Sequence, residues 1–185
     1  MIDSLCNRAG EGDLAVAWFY CDYLAHQEQT AMAMLGAILK QLVSIGEMPD
    51  DVRQTFRKRF SDRGPQLPEI VGMLKTTIAL LPPVYICIDA LDEPTPESRQ
   101  ELLESLQDIG RKSPSTRMLF IGRSHVQGEV NKYFTGAIVI PVSPTDDDVK
   151  AYLGVRLGRD TEPEAINDDL RSDIMRMIPE MISEV

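Results

Sequence analysis

Four short, almost uninterrupted apolar runs punctuate this chain: AVAWFYC (Ala15 to Cys21), VYICI (Val84 to Ile88), MLFI (Met118 to Ile121) and AIVIPV (Ala137 to Val142). Each is rich in β-branched and aromatic residues and none alternates apolar with polar, so each reads as a strand covered on both faces. Longer segments of helical period separate them. That order predicts an α/β fold built on a parallel sheet flanked by helices, not a sandwich.

The connecting segments support the same reading. After the first run, Thr30 is a candidate cap for a helix whose buried stripe is Met34, Leu35, Ile38, Leu39, Leu42 and Val43, with Gly46 at its stop. A second helix is expected around Val52, Phe56 and Phe60. A third carries Ile70, Val71, Leu74, Ile78 and Leu81 and ends at Pro82 and Pro83. Beyond VYICI, Thr95 followed by Pro96 opens a helix with Leu102, Leu103, Leu106 and Ile109 on its inner face. Thr145 with Asp146, Asp147 and Asp148 makes an acidic helix start that suits the N-terminal dipole. A polar linker follows from Gly158, and the last helix, with Leu170, Ile174, Ile178 and Ile182, is expected to break at Pro179.

Charge and cysteine usage exclude some functions. A net charge of -10 argues against a general nucleic-acid or anionic-membrane surface, which needs an excess of Lys and Arg. Cys6, Cys21 and Cys87 are odd in number and lack C-x-x-C spacing, so they read as reduced thiols of a cytoplasmic protein. No apolar run approaches the ~20 residues that span a bilayer. His26 and His125 have no partners at metal-ligand spacing and read as solvated loop residues.

The run VYICIDALDE carries the chemistry. Five apolar residues deliver Asp89 to the carboxyl end of a buried strand, where ligands sit in open α/β sheets, and Asp92 and Glu93 follow at once. A carboxylate there can hold the Mg²⁺ that bridges nucleotide phosphates, and a second acid can orient or deprotonate an attacking water. The competing reading is a strand followed by an acidic turn that caps the next helix. In MLFIGRSH, Arg123 ends a second strand, where its fork can register phosphate oxygens. The plainer alternative for Arg123 is a surface arginine paired to an acid.

VYICIDALDE resembles the extended Walker B of NACHT domains, most of all those of the fungal nephrocystin-like group of signal-transducing (STAND) NTPases. AWFYCDY resembles that family's second strand, MLFIGRSH its sensor strand, and DDDVKAYL the helix after its last sheet strand. The likeness covers nearly the whole chain. It implies a P-loop NTPase-like (ASCE) fold over residues 1–157, with 158–185 a linker and the start of a C-terminal helical region. It assigns Asp89 to the Mg²⁺ site, Asp92 and Glu93 to hydrolysis, and Arg123 to the nucleotide. Ser124 stands where the family often has proline, which loosens the sensor turn.

One part of the pattern is absent. No G-x-x-x-x-G-K-[ST] occurs, and Gly10 and Gly12 are not followed by lysine and a hydroxyl in register. By resemblance the phosphate loop and the first strand lie upstream, Met1 falls within the helix after that loop, and the fold is incomplete. The chain is therefore expected to be a nucleotide switch fragment. Mg²⁺ and ATP or GTP belong to the complete domain, and this chain by itself is expected to bind neither tightly nor to hydrolyse. Self-association or other protein partners are expected, and neither nucleic acid nor membrane. The alternative is a nucleotide-independent interaction module or a dominant-negative fragment of full-length relatives, some of which carry repeats.

Overall fold

The computed structural model describes residues 13–25, 27–45, 64–158 and 166–183. It divides into two compact units, Met1–Ala137 and Ile138–Val185. The expected helix around Val52 to Phe60, the cap residue Gly46, and Cys6 and His26 lie outside the described residues.

The first unit is α/β. Strands β1 (Ala15–Tyr20), β2 (Val84–Asp89) and β3 (Arg117–Phe120) form a parallel sheet in the order β1-β2-β3. Ala15 stands opposite Val84 and Tyr20 opposite Asp89, while Ile88 faces Phe120, so the three carboxyl ends finish together. Parallel neighbours need crossovers, and helices supply them. Helices α1 (Ala31–Ile45) and α2 (Leu67–Ala79) lie between β1 and β2, and α3 (Pro96–Lys112) between β2 and β3.

Local chemistry sets the helix ends. The Thr30 hydroxyl accepts the Ala33 N–H at 3.2 Å and the Thr95 hydroxyl accepts the Ser98 N–H at 3.3 Å, so both expected caps are formed. Glu69 reaches back to accept the Gln66 N–H at 2.9 Å at the start of α2. The expected stripes are the buried ones: Met34, Leu35, Ile38 and Leu42 on α1, Ile70, Leu74 and Ile78 on α2, and Leu102, Leu103, Leu106 and Ile109 on α3. With Ala15, Ala17, Val84, Ile86 and Ile88 from one face of the sheet, they form a single core. On the other face Val16 and Cys87 are buried, while Trp18 and Tyr85 are half-buried.

Among the described residues strand β1 is an edge of the sheet, and its outer backbone is capped at Trp18. The Gln41 side chain on α1 accepts the Trp18 N–H at 3.0 Å and donates to the Trp18 carbonyl at 2.7 Å. One amide thus does for Trp18 what a further strand would do.

The fourth expected strand does not form. Residues 137–145 carry no strand pairing, and in the second unit Ile138 and Val142 are 90% and 91% exposed. An extended segment becomes a strand only where a neighbouring edge takes its backbone groups. Among the described residues no strand edge takes those of AIVIPV, whose Ala137 N–H instead donates to the Phe134 carbonyl at 3.1 Å, and Pro141 has no N–H to offer. The second unit is otherwise a helical pair, α5 (Asp146–Gly158) packed on α6 (Asp168–Ser183). Thr145 caps α5 as expected. Its hydroxyl accepts the Asp148 N–H at 3.2 Å, and the Asp148 carboxylate accepts the Thr145 N–H at 3.0 Å. The expected break at Pro179 is absent, since α6 continues through it. No helix among the described residues is long and apolar enough to cross a membrane.

Candidate functional site

The site is built at the carboxyl end of the sheet, where the chain leaves β2 and β3. At Ala90 the backbone turns with φ +52°, the left-handed region that an L side chain enters at a cost. The turn is fixed from several sides. The Asp89 carbonyl accepts the Cys21 N–H from the end of β1 at 3.0 Å, Leu91 N–H donates to Ile121 O at 2.9 Å, and Glu93 N–H donates to Ala90 O at 3.0 Å. Leu91 itself is fully buried. An apolar anchor thus sits inside the acidic motif, with Asp89 before it and Asp92 and Glu93 after it.

This geometry makes Ala90 a place where glycine should help. Ala90→Gly is expected to raise stability by about 0.5–1 kcal/mol, because relief of the Cβ conflict outweighs the added freedom of the unfolded chain. Thermal melting of the two proteins checks it.

The Asp89 carboxylate accepts the Ala90 N–H through Oδ1 at 2.9 Å. The Asp92 side chain reaches the turn that follows β3. It is 7% exposed, its Oδ1 accepts the Arg123 N–H at 3.1 Å, and its Oδ2 lies 3.3 Å from Arg123 Nε. Glu93 Oε1 is 3.8 Å from Arg123 Nη2. The structure therefore brings Asp92, Glu93 and Arg123 together. In these contacts Arg123 is a surface arginine, 76% exposed, paired to the same acids that the motif singled out.

Gly122 eases the approach. A Cβ there would lie 3.2 Å from both Asp92 Oδ1 and Val126 Cγ2, tighter than most such contacts, so a side chain before Arg123 would require Asp92 and Val126 to give by a few tenths of an ångström. The run MLFIGR shows this glycine, but only the fold shows what it faces.

Arg99 is a further member of the site that no motif flagged. It is 6% exposed. Its guanidinium forks onto Glu129 on α4 (Gln127–Tyr133), Nε to Oε2 and Nη2 to Oε1, both at 2.8 Å. The bond to Glu129 holds the Arg99 proton more firmly than usual, and the bond to Arg99 holds Glu129 below the usual carboxylate range. The available signal was one arginine on an otherwise apolar helical stripe.

Among the described residues no three His, Cys, Asp or Glu side chains group as metal ligands. Asp89 alone therefore fits a divalent ion only if phosphate and water oxygens complete the shell, which is the usual arrangement for Mg²⁺ beside a nucleotide. His125 is exposed beside Arg123, and the acids at 146–148 open α5, both as expected.

Cys21 reports the field of the site. Burial, then the charges of Asp89, Asp92 and Glu93, push its thiol up from 9.0 to about 12. That rise lowers the thiolate fraction about a thousandfold, and the more basic sulfur recovers about 20-fold of that in nucleophilicity. Iodoacetamide at pH 8 is therefore expected to alkylate Cys21 at least about 50-fold more slowly in the folded protein than in urea. Peptide mass spectrometry over time reads the two rates.

The family model described as nephrocystin 3, N-terminal, matches residues 1–123, from the first residue to the arginine of this site. No curated protein matches the chain.

Proposed function

Because the chain belongs to the nephrocystin 3, N-terminal family, we propose that it is the acid-and-sensor part of a NACHT-type, P-loop NTPase-like switch that responds to ATP or GTP with Mg²⁺. One observation carries this reading. Asp89 leaves the middle strand of a helix-covered parallel sheet at the end where such sheets bind ligands, with the acids 92 and 93 and Arg123 in the next two turns.

The residues divide the work by their chemistry. Asp89 supplies the single carboxylate for a phosphate-bound Mg²⁺. Glu93, 21% exposed in its side chain, is the acid with solvent access and so the one to orient or deprotonate water. Arg123 is exposed enough to exchange its acid partners for phosphate oxygens. In the absence of phosphate, its pairing with Asp92 and Glu93 neutralises part of the acidic cluster.

The chain carries no phosphate-cradling loop of its own, so strong binding belongs to the domain with such a loop supplied upstream. Calorimetric titration with Mg²⁺-ATP and Mg²⁺-GTP tests the proposal. The extended domain is expected to bind at least one of them, and this chain by itself at least a hundredfold more weakly. An extended, folded domain that ignores both would end the nucleotide reading.

A second reading has its own observation. Ile138, Ile140 and Val142 are exposed, as are Met177 and Met181 on α6, which suits a nucleotide-independent interaction module or a dominant-negative fragment. Capture of a full-length relative in the absence of nucleotide supports it, and failure to capture with and without nucleotide removes it.

A further inference from the structure

We propose that Arg99 is a positioning residue, which holds the turn carrying Asp92 and Glu93 at a fixed distance from the turn carrying Arg123. Its functional weight rests on the nucleotide-site reading above, whereas its geometry does not.

A buried arginine must find partners for its charge, and Arg99 finds them on two separate segments. The fork onto Glu129 ties α3 to α4, the helix that follows the Arg123 turn. The remaining nitrogen, Nη1, donates to the Pro94 carbonyl at 3.1 Å and more weakly to the Asp92 carbonyl at 3.4 Å. These carbonyls belong to the acidic turn itself. One guanidinium therefore spans the two segments whose side chains meet at Asp92 and Arg123.

The placement makes little sense as helix stabilisation. Arg99 lies in the first turns of α3, where the helix dipole disfavours a cation. A tether between α3 and α4 alone would not need burial either, since the Glu129 side chain is 42% exposed and a surface pair could serve. The carbonyl contacts are what require the guanidinium to sit inside. Asp92 is then held twice, by Arg99 through its carbonyl and by Arg123 through its carboxylate.

The Arg123 N–H, which donates to Asp92 Oδ1, is the natural reporter. Amide hydrogen exchange on the full chain compares it with the amides of β2 in four proteins: the parent, Arg99→Lys, Glu129→Gln, and the double swap Arg99→Glu with Glu129→Arg. The swap restores an ion pair between the helices but turns a carboxylate toward the Pro94 and Asp92 carbonyls.

The expected result is at least a tenfold faster Arg123 amide in Arg99→Lys and in the swap, with β2 changed less than twofold. Glu129→Gln leaves the carbonyl contacts in place but weakens the arm that reaches α4, and is expected to speed the Arg123 amide about three- to tenfold with β2 changed less than twofold. Restoration of the Arg123 amide by the swap, or acceleration of Arg123 and β2 in step, would reduce Arg99 to an ordinary tether and overturn the proposal. If both Arg99 variants unfold, the Glu129→Gln amide decides alone: a threefold or greater acceleration of Arg123 with β2 changed less than twofold supports the role, and an unchanged Arg123 amide or one that accelerates in step with β2 refutes it. No nucleotide enters these measurements, so their failure and that of the nucleotide reading remain separable.

Discussion

Asp89→Ala, made in the domain extended upstream by a phosphate-binding loop, is expected to weaken Mg²⁺-dependent nucleotide binding by about ten- to a hundredfold. Affinity measured in excess chelator should stay within about threefold of the parent. The magnitude follows from one charge-assisted ligand, about 1.5–3 kcal/mol, at 1.4 kcal/mol for each factor of ten. The effect should be confined to the metal-dependent part because the Asp89 backbone lies within β2 and its carbonyl keeps the Cys21 N–H.

Alanine also removes the acceptor that Asp89 Oδ1 offers to the Ala90 N–H. Asp89→Asn separates the two roles, since an amide oxygen can still accept that bond but carries no charge. Both variants should lose Mg²⁺ dependence, and only alanine should lower the melting temperature. Unchanged Mg²⁺ dependence in both variants would remove Asp89 from the metal site and leave VYICIDALDE as a strand with an acidic turn.

The second large effect concerns stability. Leu91→Ala is expected to cost about 3 kcal/mol, the range for truncating a buried leucine, and to lower the melting temperature by about 6–12 °C at the 2–4 °C per kcal/mol usual for this size. Leu91 is fully buried, belongs to the same core as Ile88 and Leu102, and holds its turn through the bond to Ile121. Leu91→Met keeps volume and should cost less than about 1.5 kcal/mol. An alanine variant that melts with the parent would mean that the acidic turn does not depend on its apolar anchor.

The two predictions divide the motif D-A-L-D-E by physical role. Asp89, Asp92 and Glu93 are polar groups presented at a sheet end, whereas Leu91 is a core side chain and Ala90 a strained hinge between them. In sequence all five look like one signature. In the structure they answer to different forces, so their substitutions should be read out by different measurements.

Residues whose role follows from neighbours in the chain were legible early. β1, β2 and β3 are apolar runs recognisable to within one residue at each end, and the caps at Thr30, Thr95 and Thr145 act on N–H groups three residues away. The acids at 89, 92 and 93 stand out because a charged cluster directly after a buried strand is uncommon. Arg123 stands out for the same reason at the end of β3.

What the sequence did not reveal depends on contacts across long separations. AIVIPV has the composition of a strand, but pairing belongs to two segments, and among the described residues nothing pairs with it. Gln41 looks like a solvated helix residue until β1 is seen to be an edge whose Trp18 needs partners. Arg99 and Glu129 are thirty residues apart, and Arg99 has no preferred partner until its own burial removes water as the alternative. Local periodicity, capping and strand composition are short-range and so are written into consecutive residues. Which edges are closed and which buried charges meet is settled only when distant segments exclude water from one another.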